Sequence, residues 1–238
     1  MTEKFKTISD YEKAAVKLMS ENAKSYINSG SNSEWALDDS IEQFNRYEIR
    51  SRIGNDTSEI TLNSKILTEK TYLPFGIAPT AMQKLVHPDG EIGNATAADE
   101  KRTIYTLSTV STTSLEDVAK STKHKSLFFQ LYAVNNKEVQ SNLIKRAEDS
   151  GYKALCLTVD SPINGKREKE IRDAFYLPSH LILENLKAML EITKSKLPPL
   201  REFQAQRSRN LIWNDIKLMK QTTKLPIILK GITNSEDA

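Results

Sequence analysis

The chain has 238 residues, with 34 basic and 31 acidic side chains, 38% hydrophobic residues, 8 Gly, 8 Pro, 3 His and 1 Cys. A formal charge of +3 gives no case for nucleic acid, and a mean hydropathy of −0.50, with no apolar run near the roughly 20 residues of a spanning helix, argues against a membrane protein. The single cysteine, Cys156, closes no internal disulfide, and MTEKFKTISDYEK at the N-terminus lacks an apolar signal core. The composition therefore reads as an intracellular chain of one large or two small domains.

Residues 1–70 read as a helical cap. Ser9 and Asp10 can cap a helix carrying Tyr11, Ala14, Ala15, Leu18 and Met19 at helical spacing, and a second helix is expected over Asp38–Tyr47, with a turn at Gly30 between them. From Tyr72 the pattern changes to short apolar runs alternating with amphipathic stretches. The runs are Leu73–Ala81, Thr103–Thr109, Ser126–Ala133, Ala154–Pro162 and Leu225–Gly231; the helical segments between them include Glu91–Glu100, Leu115–Lys120 and Lys137–Ser150. Continuous apolar strands separated by helices predict a parallel sheet buried on both faces, either doubly wound or closed as a (β/α) barrel.

The glycines narrow this choice. None of them builds G-x-G-x-x-G, and the residue five before Gly165-Lys166 is Asp160, so neither a dinucleotide loop nor a P-loop is present. No histidine begins an H-E-x-x-H, and one cysteine builds no C-x-x-C, so no metal site is expected. Polar residues instead gather where the runs end: Pro79-Thr80, Ser108, Gln130 and Tyr132, Thr158 and Asp160, and Lys230. In a barrel all those ends share the active-site face, and this favours the barrel. Residues from about 163 to 210 hold a charged run, GKREKEIRD, and a Pro-Pro pair. They read as a lid insertion or a long loop after the fourth strand.

Four stretches, LPFGIAPTAMQKLVHPDGE (73–91), FFQLY (128–132), LTVDSPINGKRE (157–168) and LPIILKGI (225–232), resemble the FMN-dependent (S)-2-hydroxy-acid oxidases of the glycolate oxidase family. The resemblance implies a (β/α)8 TIM barrel with an N-terminal helical cap over 1–70 and a partial barrel over 71–238. It implies FMN as cofactor, a small 2-hydroxy acid as substrate, oxygen as acceptor, and a 2-oxo acid and hydrogen peroxide as products. It further implies a homo-oligomer, tetrameric at full length, and residence in the peroxisome.

The roles carry over by position. Tyr26 matches the tyrosine on the substrate carboxylate, and Tyr132 the second substrate-facing tyrosine. Pro79, Thr80 and Ala81 match the backbone beside the flavin ring. Ser108, Gln130 and Thr158 match the groups at its pyrimidine edge, and Lys230 the lysine beside N1. Asp160 matches the carboxylate that orients the catalytic histidine, and Arg167 a substrate-side arginine. Taken alone, Lys230 reads equally as a solvated charge, Asp160 as a helix cap or an ion pair with Arg167, and Tyr26 as a packing aromatic.

Two departures carry expectations. Val110 stands where glycolate-oxidising members often carry tryptophan, which implies a roomier pocket and a longer hydroxy acid. The general-base histidine and a second arginine belong to an S-N-H-G-G-R-Q-like stretch that this sequence does not contain. His87, His124 and His180 are not expected to replace that base. Thr233-Asn234-Ser235-Glu236 reads as a capping box announcing a helix two residues before the last residue. The expectation is a C-terminally truncated barrel of about five strands that alone neither oxidises hydroxy acids nor holds FMN tightly. It would be either a fragment of an active oxidase or a short isoform acting by association with full-length subunits.

Overall fold

A computed structural model describes residues 5–238, which divide into two compact units. One takes the N-terminal region to Glu59 together with Asn164–Pro178, and the other takes Ile60–Ile163 and Ser179–Ala238. The break thus falls earlier than residue 70, and the charged start of the insertion belongs with the N-terminal unit.

Helix α1 (Ile8–Leu18) is capped by Thr7 rather than Ser9-Asp10. The Thr7 hydroxyl accepts from Asp10 N at 3.2 Å, and the Asp10 carboxylate accepts from Thr7 N at 2.9 Å, a reciprocal capping box. Helix α2 (Glu21–Ile27), capped by Ser20, was not expected from the sequence and carries Tyr26. Helix α3 (Trp35–Glu42) runs into a 3-10 turn over Gln43–Arg46, a few residues ahead of the predicted second helix.

The sheet unit opens with an antiparallel hairpin, β1 (Ser64–Ile66) and β2 (Glu69–Thr71), in a region read as helical cap. The run Leu73–Ala81 was expected as the first barrel strand. It makes only an isolated parallel bridge, Ile77 to Tyr105, because Pro74 and Pro79 have no N–H to donate and bracket the pairing. The chain continues through α4 (Gly90–Glu100), β3 (Tyr105–Leu107), α5 (Leu115–Ser121), β4 (Leu127–Tyr132), α6 (Lys137–Asp149) and β5 (Ala154–Thr158).

The chain then enters the first unit as Asn164–Pro178, with α7 (Glu168–Arg172). Polar clamps tie it there: Asn32 N donates to Lys166 O at 2.8 Å, Lys169 pairs with Glu34 at 2.8 Å, and Asn22 exchanges two hydrogen bonds with the Tyr176 backbone. Back in the sheet unit, α8 (Lys187–Thr193), α9 (Pro199–Gln206) and α10 (Trp213–Gln221) precede β6 (Ile227–Lys230). The last residues form no helix. The expected cap at Thr233 is replaced by Asn234, whose side chain accepts from Asp237 N at 2.8 Å.

Strands β3–β6 pair in parallel in sequence order, as expected for the wall of a barrel. Alternation gives the wall two characters. Tyr105, Leu107, Phe129, Leu131, Leu155 and Leu157 point outward and are fully buried, along with Leu115, Val118, Leu143 and Ile144 from the helices. Each such side chain contributes about 1.5–3 kcal/mol.

The inward face is graded. At its N-terminal end Ile104, Phe128 and Ala154 form an apolar cluster, packed by Ile228 and by Ile66 of the hairpin. In the middle lies Cys156, opposite Gln130 in register. Toward the C-terminal end the same face carries Ser108, Gln130, Tyr132, Thr158 and Lys230.

Gly76 marks the tightest backbone approach in this wall. An added Cβ would lie 2.8 Å from the Ile104 carbonyl oxygen, which accepts from Ile77 N at 2.8 Å. Gly76→Ala is therefore expected to lower stability by about 1–3 kcal/mol through overpacking. Urea denaturation of the purified chain measures this, and an unchanged midpoint would show that the wall can shift at no cost.

Candidate active site

The inward polar row is a connected network. Gln130, 2% exposed on β4, uses both ends of its amide: Oε1 accepts from Thr109 N at 3.2 Å and Ser108 Oγ at 3.4 Å, and Nε2 donates to Thr158 Oγ1 at 2.8 Å. Ser108 Oγ in turn accepts from Val110 N at 3.1 Å. The parallel register sets Tyr132 opposite Thr158 and Thr158 opposite Lys230, so hydroxyl, amide and ammonium groups step across adjacent strand ends. Lys230 lies 3.7 Å from Asp160, with both side chains about two-fifths exposed. The sequence also admits Asp160 as a helix cap or a partner of Arg167; the ion pair found here is with Lys230. Gly231, at φ +109°, makes room for it, since a Cβ there would overlap the Asp160 side chain.

The loop after Ile77 brings Pro79, Thr80 and Ala81 to the same end of the wall. Gln83 holds it, donating from Nε2 to Thr80 O at 3.1 Å and to the Tyr105 hydroxyl at 3.0 Å while accepting from Asn94 at 2.7 Å. Burial, with the Glu91 carboxylate nearby, raises the Tyr105 phenol well above its ordinary value, so it stays protonated. Val110 is 7% exposed, and its carbonyl accepts from Met82 N at 3.0 Å.

Tyr132 stands at the mouth of a cavity of about 200 Å³ lined also by Thr158, Ser161, Arg207 and Arg209. The Arg207 guanidinium lies 4.6 Å from the Tyr132 ring centroid and donates to Ser161 O, and Phe203 packs edge-on to the ring at 5.6 Å. Arg207 was not among the residues singled out in the sequence. It sits in QRSRN, where no periodicity or spacing separates it from solvated arginines.

In the N-terminal unit Tyr26 and Arg167 come together. The guanidinium is 5.4 Å from the Tyr26 ring centroid and donates to Glu170 at 2.8 Å and to Tyr26 O at 3.4 Å. Phe175 stacks on the Tyr26 ring with centroids 5.2 Å apart. Among the described residues no histidine joins Asp160. His87 accepts from Asp89 N at 3.2 Å in its own turn, and His124 and His180 are exposed elsewhere. No cluster of metal-ligating side chains occurs among the described residues, and none of their helices is long and apolar enough to cross a membrane.

The donor set of the polar row fits a flavin. A neutral amide between hydroxyls suits the alternating acceptor and donor atoms of a pyrimidine edge, and an ammonium at the next strand end suits an atom that gains negative charge on reduction. Comparison with known proteins gives the same direction. The profile of the FMN-dependent dehydrogenases matches residues 15–238. Glycolate oxidase 1 of Oryza sativa subsp. indica is 41% identical over 234 residues, covering 97% of this chain and 63% of the relative. Glycolate oxidase 3 of Arabidopsis thaliana is 40% identical over the same length and shares. Among solved structures, mandelate oxidase superposes with a TM-score of 0.86 at 30% identity, covering 98% of this chain and 64% of that one. A mandelate oxidase variant holding an FMN adduct superposes with a TM-score of 0.83 at 29% identity, over 96% and 63%. The chain thus spans a little under two thirds of the relatives it matches.

Replacing Gln130 with leucine strands the Thr109 N–H and the Thr158 hydroxyl in a dry interior. Gln130→Leu is expected to cost about 1–3 kcal/mol in chemical denaturation even without a ligand. A neutral result would mean that water takes over both partners.

Proposed function

The chain belongs to the FMN-dependent dehydrogenase family, and from that premise we propose that it serves the oxidation of (S)-2-hydroxy acids to 2-oxo acids, with oxygen as acceptor and hydrogen peroxide as product. The observation that supports this most is the buried row Ser108–Gln130–Thr158, continued by Lys230, at the C-terminal ends of parallel strands.

FMN, when bound, supplies the acceptor for the hydride leaving C2 of the substrate. Gln130, with the hydroxyls of Ser108 and Thr158, would hold the pyrimidine edge, and the backbone of Pro79, Thr80 and Ala81 would flank the ring. The Lys230 ammonium would lie by the N1 side of the ring and would favour negative charge there. Tyr26 and Arg167 bind the substrate carboxylate, and Tyr132 faces the reacting carbon. Asp160 would orient the histidine base that the family carries in its S-N-H-G-G-R-Q-like stretch, which takes the hydroxyl proton. The substrate gives up that proton and a hydride, and oxygen takes up two electrons and two protons. The small side chain of Val110 favours hydroxy acids longer than glycolate. A homo-oligomer and a peroxisomal location follow from the same family reading.

A second reading concerns the 238 residues by themselves: they neither turn over hydroxy acids nor hold FMN tightly. Its support is that Asp160 pairs with Lys230, while His87 is held in its own turn by Asp89 and His124 beside Asp99.

Two measurements separate these readings. Protein isolated from its natural source is expected to release hydrogen peroxide from (S)-2-hydroxy acids, and Lys230→Met to lower turnover about 10²–10³-fold. Unchanged turnover in that variant would remove Lys230 from the chemistry. The 238-residue chain expressed alone is expected to carry far less than one FMN per chain by visible absorbance, and a stoichiometric yellow protein would overturn the second reading.

A further inference from the structure

We infer that Glu91 is a positioning residue for the flavin site: its buried carboxylate clamps the loop after Ile77 to the loop after β3, and so sets Pro79–Ala81 and Ser108 in register with each other. The inference rests on the FMN reading above for its consequence and on geometry for its substance.

Glu91 lies in the first turn of α4 and is fully buried. All its donors are uncharged. Oε1 accepts from Gln83 N at 3.1 Å, Thr112 N at 2.7 Å and Thr112 Oγ1 at 2.9 Å, and Oε2 accepts from Thr112 Oγ1 at 2.9 Å and Thr113 Oγ1 at 2.8 Å. Burying an ionised carboxylate is unfavourable unless its lone pairs are satisfied, and here both oxygens are. A glutamine offers one carbonyl oxygen with two lone pairs and cannot accept from all four donors. An apolar side chain would strand the Gln83 and Thr112 N–H groups.

The donors come from two separate segments. Gln83 follows the loop of Pro79, Thr80 and Ala81. Thr112 and Thr113 follow Ser108 and Val110. Further bonds stitch the same seam: Met82 N donates to Val110 O at 3.0 Å and Lys84 N to Thr112 Oγ1 at 3.1 Å. Met82, between Ala81 and Gln83, is 1% exposed and adopts φ +54°, a left-handed conformation that a residue with a Cβ keeps only when its surroundings enforce it. From the opposite side Asn185, also fully buried, donates to Ser111 Oγ at 2.8 Å and accepts from Leu115 N at 2.8 Å. The loop of Ser108–Thr113 is thus fixed at both flanks, and Glu91 is the charged member of the clamp.

The test compares the full chain with Glu91→Gln and Thr113→Val, the second removing one donor and leaving the carboxylate. FMN is titrated into each by flavin fluorescence and visible absorbance, and amide hydrogen exchange is followed on the unloaded chains. Glu91→Gln is expected to weaken FMN binding at least tenfold, to shift the bound-flavin absorption band, and to speed exchange in residues 82–84 and 110–113 together while β4 and β5 keep their protection. Thr113→Val is expected to show the same pattern at smaller size, and it carries the test if Glu91→Gln does not fold. An FMN affinity and spectrum within twofold of the parent, or loss of protection throughout the sheet in both variants, would overturn the inference. If the parent chain takes up no FMN, as the second reading expects of the 238 residues alone, joint deprotection of the two loops still supports the clamp, and exchange confined to one loop refutes it.

Discussion

In a parallel sheet every strand runs out at the same edge, and the stagger between neighbours decides which side chains meet there. Here Gln130 lies opposite Cys156, and Thr158 opposite both Tyr132 and Lys230. That register brings the amide of Gln130 within reach of Ser108 on one side and Thr158 on the other. A slip of one residue would turn Gln130 into the place of Leu131, among helix side chains, and would bring Leu131 to the inner face. The outward leucines and Phe129 forbid it, because each is fully buried. The helix-packed face therefore sets the chemistry of the opposite face, and the polar row is held by a hydrophobic pattern that it does not touch.

The same asymmetry explains what could be read from the sequence. Runs such as LFFQLY and ALCLT are apolar on both alternations, so they announce strands buried on two sides, and Gln130 and Thr158 stand out as polar exceptions near their ends. The hairpin of β1 and β2 has three-residue strands of mixed polar composition and gave no such signal, although its Ile66 closes the apolar end of the inner face. The run Leu73–Ala81 looked like a strand by composition, and its prolines reduce it to one bridge. Helix α2 is seven residues long, too short for periodicity to speak. Tyr26, Lys230 and their companions were legible through resemblance of their surroundings rather than through spacing. Glu91 escaped because an acid in the first turn of a helix reads as a partner of the helix dipole. Its burial is a tertiary fact, supplied by two loops that follow different strands.

The two units hold their functional residues by different means. In the sheet unit apolar packing is dense, and Ser108, Gln130 and Thr158 are joined by hydrogen bonds within it. In the N-terminal unit the fully buried positions among the described residues are the small side chains Ala23, Ser25 and Ser29. Tyr26 is steadied there by stacking on Phe175 and by the Arg167 guanidinium, which is itself shared with Glu170. The Tyr26–Arg167 pair therefore sits in a lightly packed setting, and the Ser108–Gln130–Thr158 row in a densely packed one.

Cys156 occupies the boundary between the apolar and polar halves of the inner face. Burial raises its thiol above the ordinary value, and the nearby Lys230 charge, which pulls the other way, does not cancel the effect. Peroxide attacks the thiolate, not the thiol. The only sulfhydryl of the chain is thus held as the less reactive thiol by the same burial that packs the strand, and its reaction with peroxide or other thiol reagents waits on local opening of the sheet.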